Sequence, residues 1–283
     1  MTTIVINTLK LHFTSNNESI LEELAAALKS NHQISSSPDP LDDSCDGLVI
    51  GTETESDHRE IVRAKELGIT VYSVPDLIYH LSEDKQRIVI TGSTGKKAVV
   101  SWLVRMLKII GKDFDFVLST KVEGFEGLLK ISDAPVIILE GSEKRSSALD
   151  TKPQFLRYNH HIALITDISH EFEELYPSFD GYVREFDRLA DATPKGGTLI
   201  YNEEDDLVTV IGGKEREDVK SIPYSSHPGT INEGTAILES DNGPLEVAVS
   251  NIRELQYLGG AFALLKRLSI TNDQLNHAIK SLN

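Results

Sequence analysis

The segment that most constrains the fold is Arg87-Ile88-Val89-Ile90-Thr91, followed at once by Gly92-Ser93-Thr94-Gly95-Lys96-Lys97 and then by Ala98 to Ile110, ending before Gly111. A short β-branched apolar run reads as a buried strand, and the 3.6-residue periodicity after it reads as a helix. The glycines between them must therefore make a tight strand-to-helix turn, the join that a parallel sheet wound with helices requires. Backbone N–H groups in such a turn can face an anion at the positive end of the helix, and a lysine there can reach terminal phosphates. Gly92, Ser93, Thr94, Gly95, Lys96 and Lys97 are therefore candidate nucleotide-binding residues. Against the general phosphate-loop pattern G-x-x-x-x-G-K-[ST], however, Ile90 stands at the first glycine and Lys97 at the final hydroxyl. That hydroxyl coordinates magnesium, which an ammonium cannot do. A retained anion site and a turn that is now only structural are both compatible with this loop.

The same alternation of strands and helices runs through most of the chain. Ile4 to Ile6, Gly47 to Gly51 and Ile69 to Tyr72 predict strands, while Ser19 to Lys29, Arg59 to Leu67 and a short segment from Pro75 predict helices. Ser35 to Pro40 reads as a loop by composition. These elements form a first unit over residues 1–84. In a second unit, residues 85–283, strands are predicted at Pro135 to Glu140, Ile162 to Thr166 and Thr198 to Asn202, with a helix from Phe179 to Ala190. After Val219 short strands alternate with turn residues, and two amphipathic helices close the chain, Glu254 to Leu268 and Gln274 to Leu282. The predicted class is α/β, a Rossmann-like N-terminal domain followed by a phosphate-loop-type, mainly parallel central domain.

Charge and composition narrow the partners. With 28 Lys+Arg against 44 Asp+Glu the formal net charge is −16, which argues against a nucleic-acid or anionic-membrane surface. The single Cys45 cannot form an internal disulfide, and no stretch approaches the length of a spanning helix, so a soluble, cytoplasmic protein is expected. Other clusters have ordinary readings. His160-His161 precedes a strand, where neighbouring residues point to opposite faces, and reads as solvated or capping, and Glu203 to Asp206 reads as an acidic first helical turn. Trp102 and Met106 read as core, and Ser225-Ser226-His227 lacks a nucleophile elbow.

Several pieces, in order, resemble one family. Ile90 to Ala98 is similar to the T-G-T-[HN]-G-K-T-T loop of the Mur ligases, the ATP-dependent amide ligases that build the peptidoglycan stem peptide. His161 to Ile168, Tyr176 to Tyr182 and Gly196 to Asn202 with Asp205-Asp206 resemble later family segments, and Asp46 to Gly51 with Arg63 to Ile69 resemble its substrate-nucleotide domain. The spacing is similar to the UDP-N-acetylmuramate:alanine ligase and murein peptide ligase branch. The resemblance implies ATP and Mg2+ as cofactors, a nucleotide or muramyl nucleotide as ligand, Asn202 near the adenine and Glu140 as a metal ligand.

The departures from the family pattern fall on chemistry. Asn7 to Phe13 stands where the family has a glycine-rich diphosphate loop, and Glu140-Gly141-Ser142-Glu143 replaces its E-A-D-E. Ser169-His170-Glu171-Phe172 departs from an E-x-D-H run, where a slipped alignment could use His170 or Glu171. Asn251 to Tyr257 replaces the G-x-H-N-x-x-N helix start, and the sequence ends where the family's third domain would begin. The resulting expectation is a catalytically impaired relative retaining at most weak nucleotide binding. The alternative is an active UDP-N-acetylmuramate:amino acid or peptide ligase, or a fragment of one.

Overall fold

The computed structural model describes residues 8–14, 18–169, 174–241, 243–249 and 251–282. The strand expected at Ile4 to Ile6, and the residues His170 and Glu171, lie outside the described residues. The first sheet holds β1 (Lys10–Phe13), β2 (Gln33–Ser36), β3 (Gly47–Ile50) and β4 (Thr70–Ser73) in the order β2-β1-β3-β4, with every pair parallel. Helices α1 (Ser19–Leu28) and α2 (Arg59–Leu67) make the crossovers, and α3 (Val74–His80) follows β4. α2 ends at Gly68 with φ +70°, and Ser73 and Asp76 form a reciprocal capping box that starts α3.

Two expectations for this sheet are corrected. Lys10 to Phe13, read as part of a loop replacing the family's glycine-rich one, is itself a strand with Leu11 and Phe13 in the core. His12 hid the pattern: it is fully buried, with Nδ1 2.9 Å from Ser35 Oγ and Nε2 3.5 Å from Glu60 on α2. Ser35 and Ser36, read as loop, end the edge strand β2, where polar side chains are tolerated because one ladder face is open.

The second sheet has seven strands in the order β13-β12-β11-β5-β8-β6-β7. In chain order its elements are β5 (Gln86–Thr91), α4 (Lys96–Ile110), β6 (Asp115–Val117), β7 (Leu129–Lys130) and β8 (Val136–Glu140). A hairpin of β9 (Arg145–Ser147) and β10 (Asp150–Pro153) leads through α5 (Gln154–Arg157) to β11 (Ile162–Ile165), α6 (Phe179–Asp191), β12 (Thr198–Asn202), α7 (Asp206–Gly212) and β13 (Lys220–Tyr224). All pairs in this sheet are parallel except β6 with β7. The segment after Val219 thus splits: β13 extends the parallel sheet, and β14 (Gly229–Asn232), β15 (Thr235–Leu238) and β16 (Leu245–Ala248) form a separate antiparallel sheet. Helices α8 (Arg253–Arg267) and α9 (Asn272–Lys280) close the described chain.

Period-two alternation in β5 sends Ile88 and Ile90 to one face and Val89 to the other. The first face packs on α4, α8 and α9 through residues such as Leu103, Leu258 and Ile279. The second packs on Phe155, Tyr182 and Phe186, and its apolar cluster continues into Leu11, Leu21 and Leu24 of the first sheet and α1. Polar ties add to this packing, one between the two sheets' parts and others within the second. Arg157 reaches Asp76 at 2.5 Å and Asp150 at 3.1 Å. Buried Lys85 lies 3.3 Å from fully buried Asp115 and donates to the carbonyls of Ser132 and Ala134.

His160, read as solvated or capping, is 2% exposed, with Nε2 2.9 Å from Thr193 Oγ1. Burial first, then the neighbouring His161 and Arg87, lowers its pKa from 6.5 to about 4. The unfolded chain therefore binds more protons here than the folded chain, and stability present above pH 6.5 is lost as pH falls toward 4. The loss should reach up to about 3 kcal/mol. Denaturant unfolding of His160→Gln across this range should show a shallower acid limb, and a slope unchanged from the wild type would refute the assignment.

Candidate functional site

β5 is the strand from which the chain turns to either side of its sheet, first to β6, β7 and β8, later to β11, β12 and β13. Crevices outside the carboxyl ends of strands at such a reversal are where open α/β sheets bind ligands. The glycine turn sits there. Gly92 has φ +137° and Gly95 φ +77°, and Gly95 is the N-cap of α4, so Lys96 and Lys97 open the helix. A side-chain carbon at Gly95 would come within 2.5 Å of the Tyr257 ring, which covers the turn from α8.

A cleft of 710 Å³ opens beside this turn, between the carboxyl ends of strands from both sheets. Ser93, Lys96 and Lys97 line it from the turn, Glu140 and Glu143 from the end of β8, and Ser119 from the end of β6. Glu18 and Glu53 complete it from the first sheet's side, where Glu53 N–H donates to Glu18 Oε1 at 3.0 Å.

The predicted site residues are brought together, but most of their polar atoms are occupied. Lys96 Nζ donates to both oxygens of Glu143 at 2.9 Å and to Gly92 O at 2.7 Å, and Glu143 is 1% exposed. Glu140 accepts from Ser119 N–H at 2.8 Å and from the Ser119 hydroxyl at 2.5 Å. Ser93 Oγ lies 2.8 Å from Tyr182 OH, donates to Ser169 O and accepts from Ser169 N–H. Lys97 is exposed at the cleft. Asn202 does not line the cleft but reaches the turn through Thr166: 1% exposed, it donates to Thr166 O at 2.8 Å and accepts from Glu204 N–H at 3.0 Å, tying the end of β12 to that of β11, and the Thr166 hydroxyl donates to Thr94 O.

Three residues at the turn were not singled out from the sequence. Asp167 accepts from Thr94 N–H and from the Thr94 hydroxyl, each at 2.8 Å. Tyr257 covers Gly95, and Ser119 holds Glu140. Only Asp167 carried a usable signal, an acidic residue directly after a buried strand, whereas the other two are defined by contacts between distant segments.

A family profile described as the Mur ligase middle domain matches residues 90–259, more than half of the chain. This chain belongs to the Mur ligase family. It is 26% identical over 216 residues to the UDP-N-acetylmuramate–L-alanine ligase of Hydrogenobaculum sp., covering 75% of this chain and 46% of that protein. It is 25% identical over 182 residues to the enzyme of the same name from Syntrophomonas wolfei, covering 64% of this chain and 37% of that one. The chain thus spans between about a third and a half of these Mur ligases. Among solved structures, it resembles UDP-N-acetylmuramate:L-alanyl-gamma-D-glutamyl-meso-diaminopimelate ligase from Neisseria meningitides, with TM-score 0.79, 14% identity and 98% of each chain covered. It also resembles UDP-N-acetylmuramate-alanine ligase from Thermotoga maritima, with TM-score 0.70, 16% identity, 97% of this chain and 68% of that one. At these identities the structural likeness establishes the fold.

The Mur ligase family is ATP-dependent, and the residues present can be tested against ATP and magnesium. They do not fit a magnesium-held polyphosphate. Lys97 occupies the position of the coordinating hydroxyl, Glu140 accepts two hydrogen bonds from Ser119, and Asp167 after β11 and Glu143 after β8 cover Thr94 and Lys96. Among the described residues no group of three or more His, Cys, Asp or Glu side chains is arranged to hold a metal, and no helix is long and apolar enough to cross a membrane.

Proposed function

We propose that this chain is a catalytically impaired Mur ligase relative, tied to peptidoglycan precursor synthesis, that retains at most weak nucleotide binding. In this reading residues 1–84 form the Rossmann-like substrate-side domain and residues 85–283 the central nucleotide-side domain of a cytoplasmic protein. The candidate nucleotide contacts are Gly92, Ser93, Thr94, Gly95, Lys96 and Lys97. The supporting observation is Lys97: in the first turn of α4, exposed to the cleft, an ammonium stands where a magnesium ligand is needed. Its charge can attract a phosphate directly but cannot recruit the metal, so magnesium should improve binding little.

In titration calorimetry, ATP is expected to bind with a Kd above about 100 µM, with little change on adding magnesium. Tight, strictly magnesium-dependent binding would overturn the reading. The rival reading, an active UDP-N-acetylmuramate:amino acid or peptide ligase or a piece of one, draws on the curated relatives, which bear that activity in their names. Phosphate release with ATP, magnesium, UDP-N-acetylmuramate and alanine or a stem tripeptide separates the two. No release is expected, whereas release that Lys96→Ala abolishes would establish the ligase.

A further inference from the structure

A phosphate loop binds its ligand with backbone N–H groups, a side-chain hydroxyl and a lysine, and in this chain each kind of donor already meets a carboxylate or carbonyl of the protein. Thr94 presents its N–H to Asp167 Oδ1 and its hydroxyl to Asp167 Oδ2, each at 2.8 Å. Ser93 N–H donates to the main-chain oxygen of Asp167 at 3.0 Å. The Thr166 hydroxyl lies 2.9 Å from Asp167 Oδ1 and 2.5 Å from Thr94 O, bridging the same two residues. Glu143, buried at the end of the turn after β8, takes Lys96 through both oxygens. Two oxygens of one carboxylate on adjacent donors of one residue reproduce the contact that two oxygens of a phosphate group would make. An incoming polyphosphate must displace that carboxylate and remain beside its charge, and like charges held close together repel.

We propose that Asp167 is the residue that sets the ligand class of this loop. It is a built-in anion which, with Glu143 on Lys96, makes the loop select against polyphosphates and in favour of ligands that carry no charge at this point. The inference deepens the weak-binding reading above and rests on the loop being the ligand-facing feature of the cleft. It makes a demand that reading does not: the weakness is imposed by two side chains and is reversible by removing their charge. Asp167→Asn keeps an oxygen to accept from Thr94 N–H while removing the charge, so the turn should keep its shape. Glu143→Gln removes the negative charge that faces Lys96, independently of Asp167.

Calorimetry without metal, using ATP, inorganic tripolyphosphate and adenosine on the wild type, each variant and the double variant, tests the proposal. Circular dichroism and melting temperature would establish that each variant is folded. For ATP and tripolyphosphate, Kd should fall at least about tenfold in Asp167→Asn and further in the double variant. Adenosine should be unaffected, and adding Lys96→Ala to Asp167→Asn should reverse the gain. Should Asp167→Asn fail to fold, Glu143→Gln alone must still tighten tripolyphosphate. Folded variants that bind tripolyphosphate no better than the wild type would overturn the proposal while leaving the weak-binding reading intact. Tight magnesium-dependent ATP binding by the wild type would instead overturn that reading, and the ratio of variant to wild-type Kd would still decide the role of Asp167.

Discussion

Gly92→Ala is expected to destabilise the folded chain by about 3–5 kcal/mol, combining backbone strain with forced overpacking. Gly92 holds φ +137°, a conformation closed to residues with a side chain, at the point where the end of β5 meets the end of β11. An added carbon would overlap the Thr166 hydroxyl and lie 3.0 Å from the Asp167 backbone nitrogen, and backbone cannot swing aside as a side-chain tip can. Relief would require parting the two strand ends, which would also draw Asp167 away from Thr94. Chemical denaturation of the variant beside the wild type reads the effect, and a loss below about 1 kcal/mol would show that the turn relaxes without strain.

A comparable loss is expected at the opposite end of the sheet. Asp115→Ala should cost about 3–5 kcal/mol because it strands a buried ammonium. Asp115 is fully buried, lies 3.3 Å from Lys85 Nζ, and accepts from Ser132 N–H at 2.9 Å and the Ser132 hydroxyl at 2.6 Å. Without it, Lys85 keeps two carbonyl partners but no opposite charge, and Ser132 loses both of its bonds to the carboxylate. Adding Lys85→Met should recover part of the loss, since the uncompensated charge leaves with the lysine. Equal stability of the single and double variants would assign the cost to Ser132 instead.

The parts of the fold that were legible in the sequence are those in which one local signal decided the outcome. Ile88-Val89-Ile90 announces a strand buried on both sides, and Gly68 and Gly111 close helices with left-handed φ values of 70° and 75°. The parts that were not legible depend on partners distant in the chain. His12 looks wrong for a strand until Ser35 and Glu60 are seen to enclose it, and Ser35 looks like loop until β1 is seen beside it. The loop sequence 92–97 identified the donors of the candidate site but not their occupants. Asp167 reaches Thr94 across 73 positions, and Glu143 reaches Lys96 across 47. No periodicity or local spacing encodes such pairs, because they arise only when strands far apart in sequence become neighbours in a sheet.

The two outermost strands of the seven-stranded sheet also set a limit on what this molecule can become. β13 carries Pro223, which has no N–H to offer, and begins with Lys220, while β7 is two residues long and ends in Lys130. Neither rim gives an arriving peptide enough consecutive donors and acceptors to zip on as a further strand. Concentrated solutions of the folded chain should consequently resist fibre growth through the rims of this seven-stranded sheet.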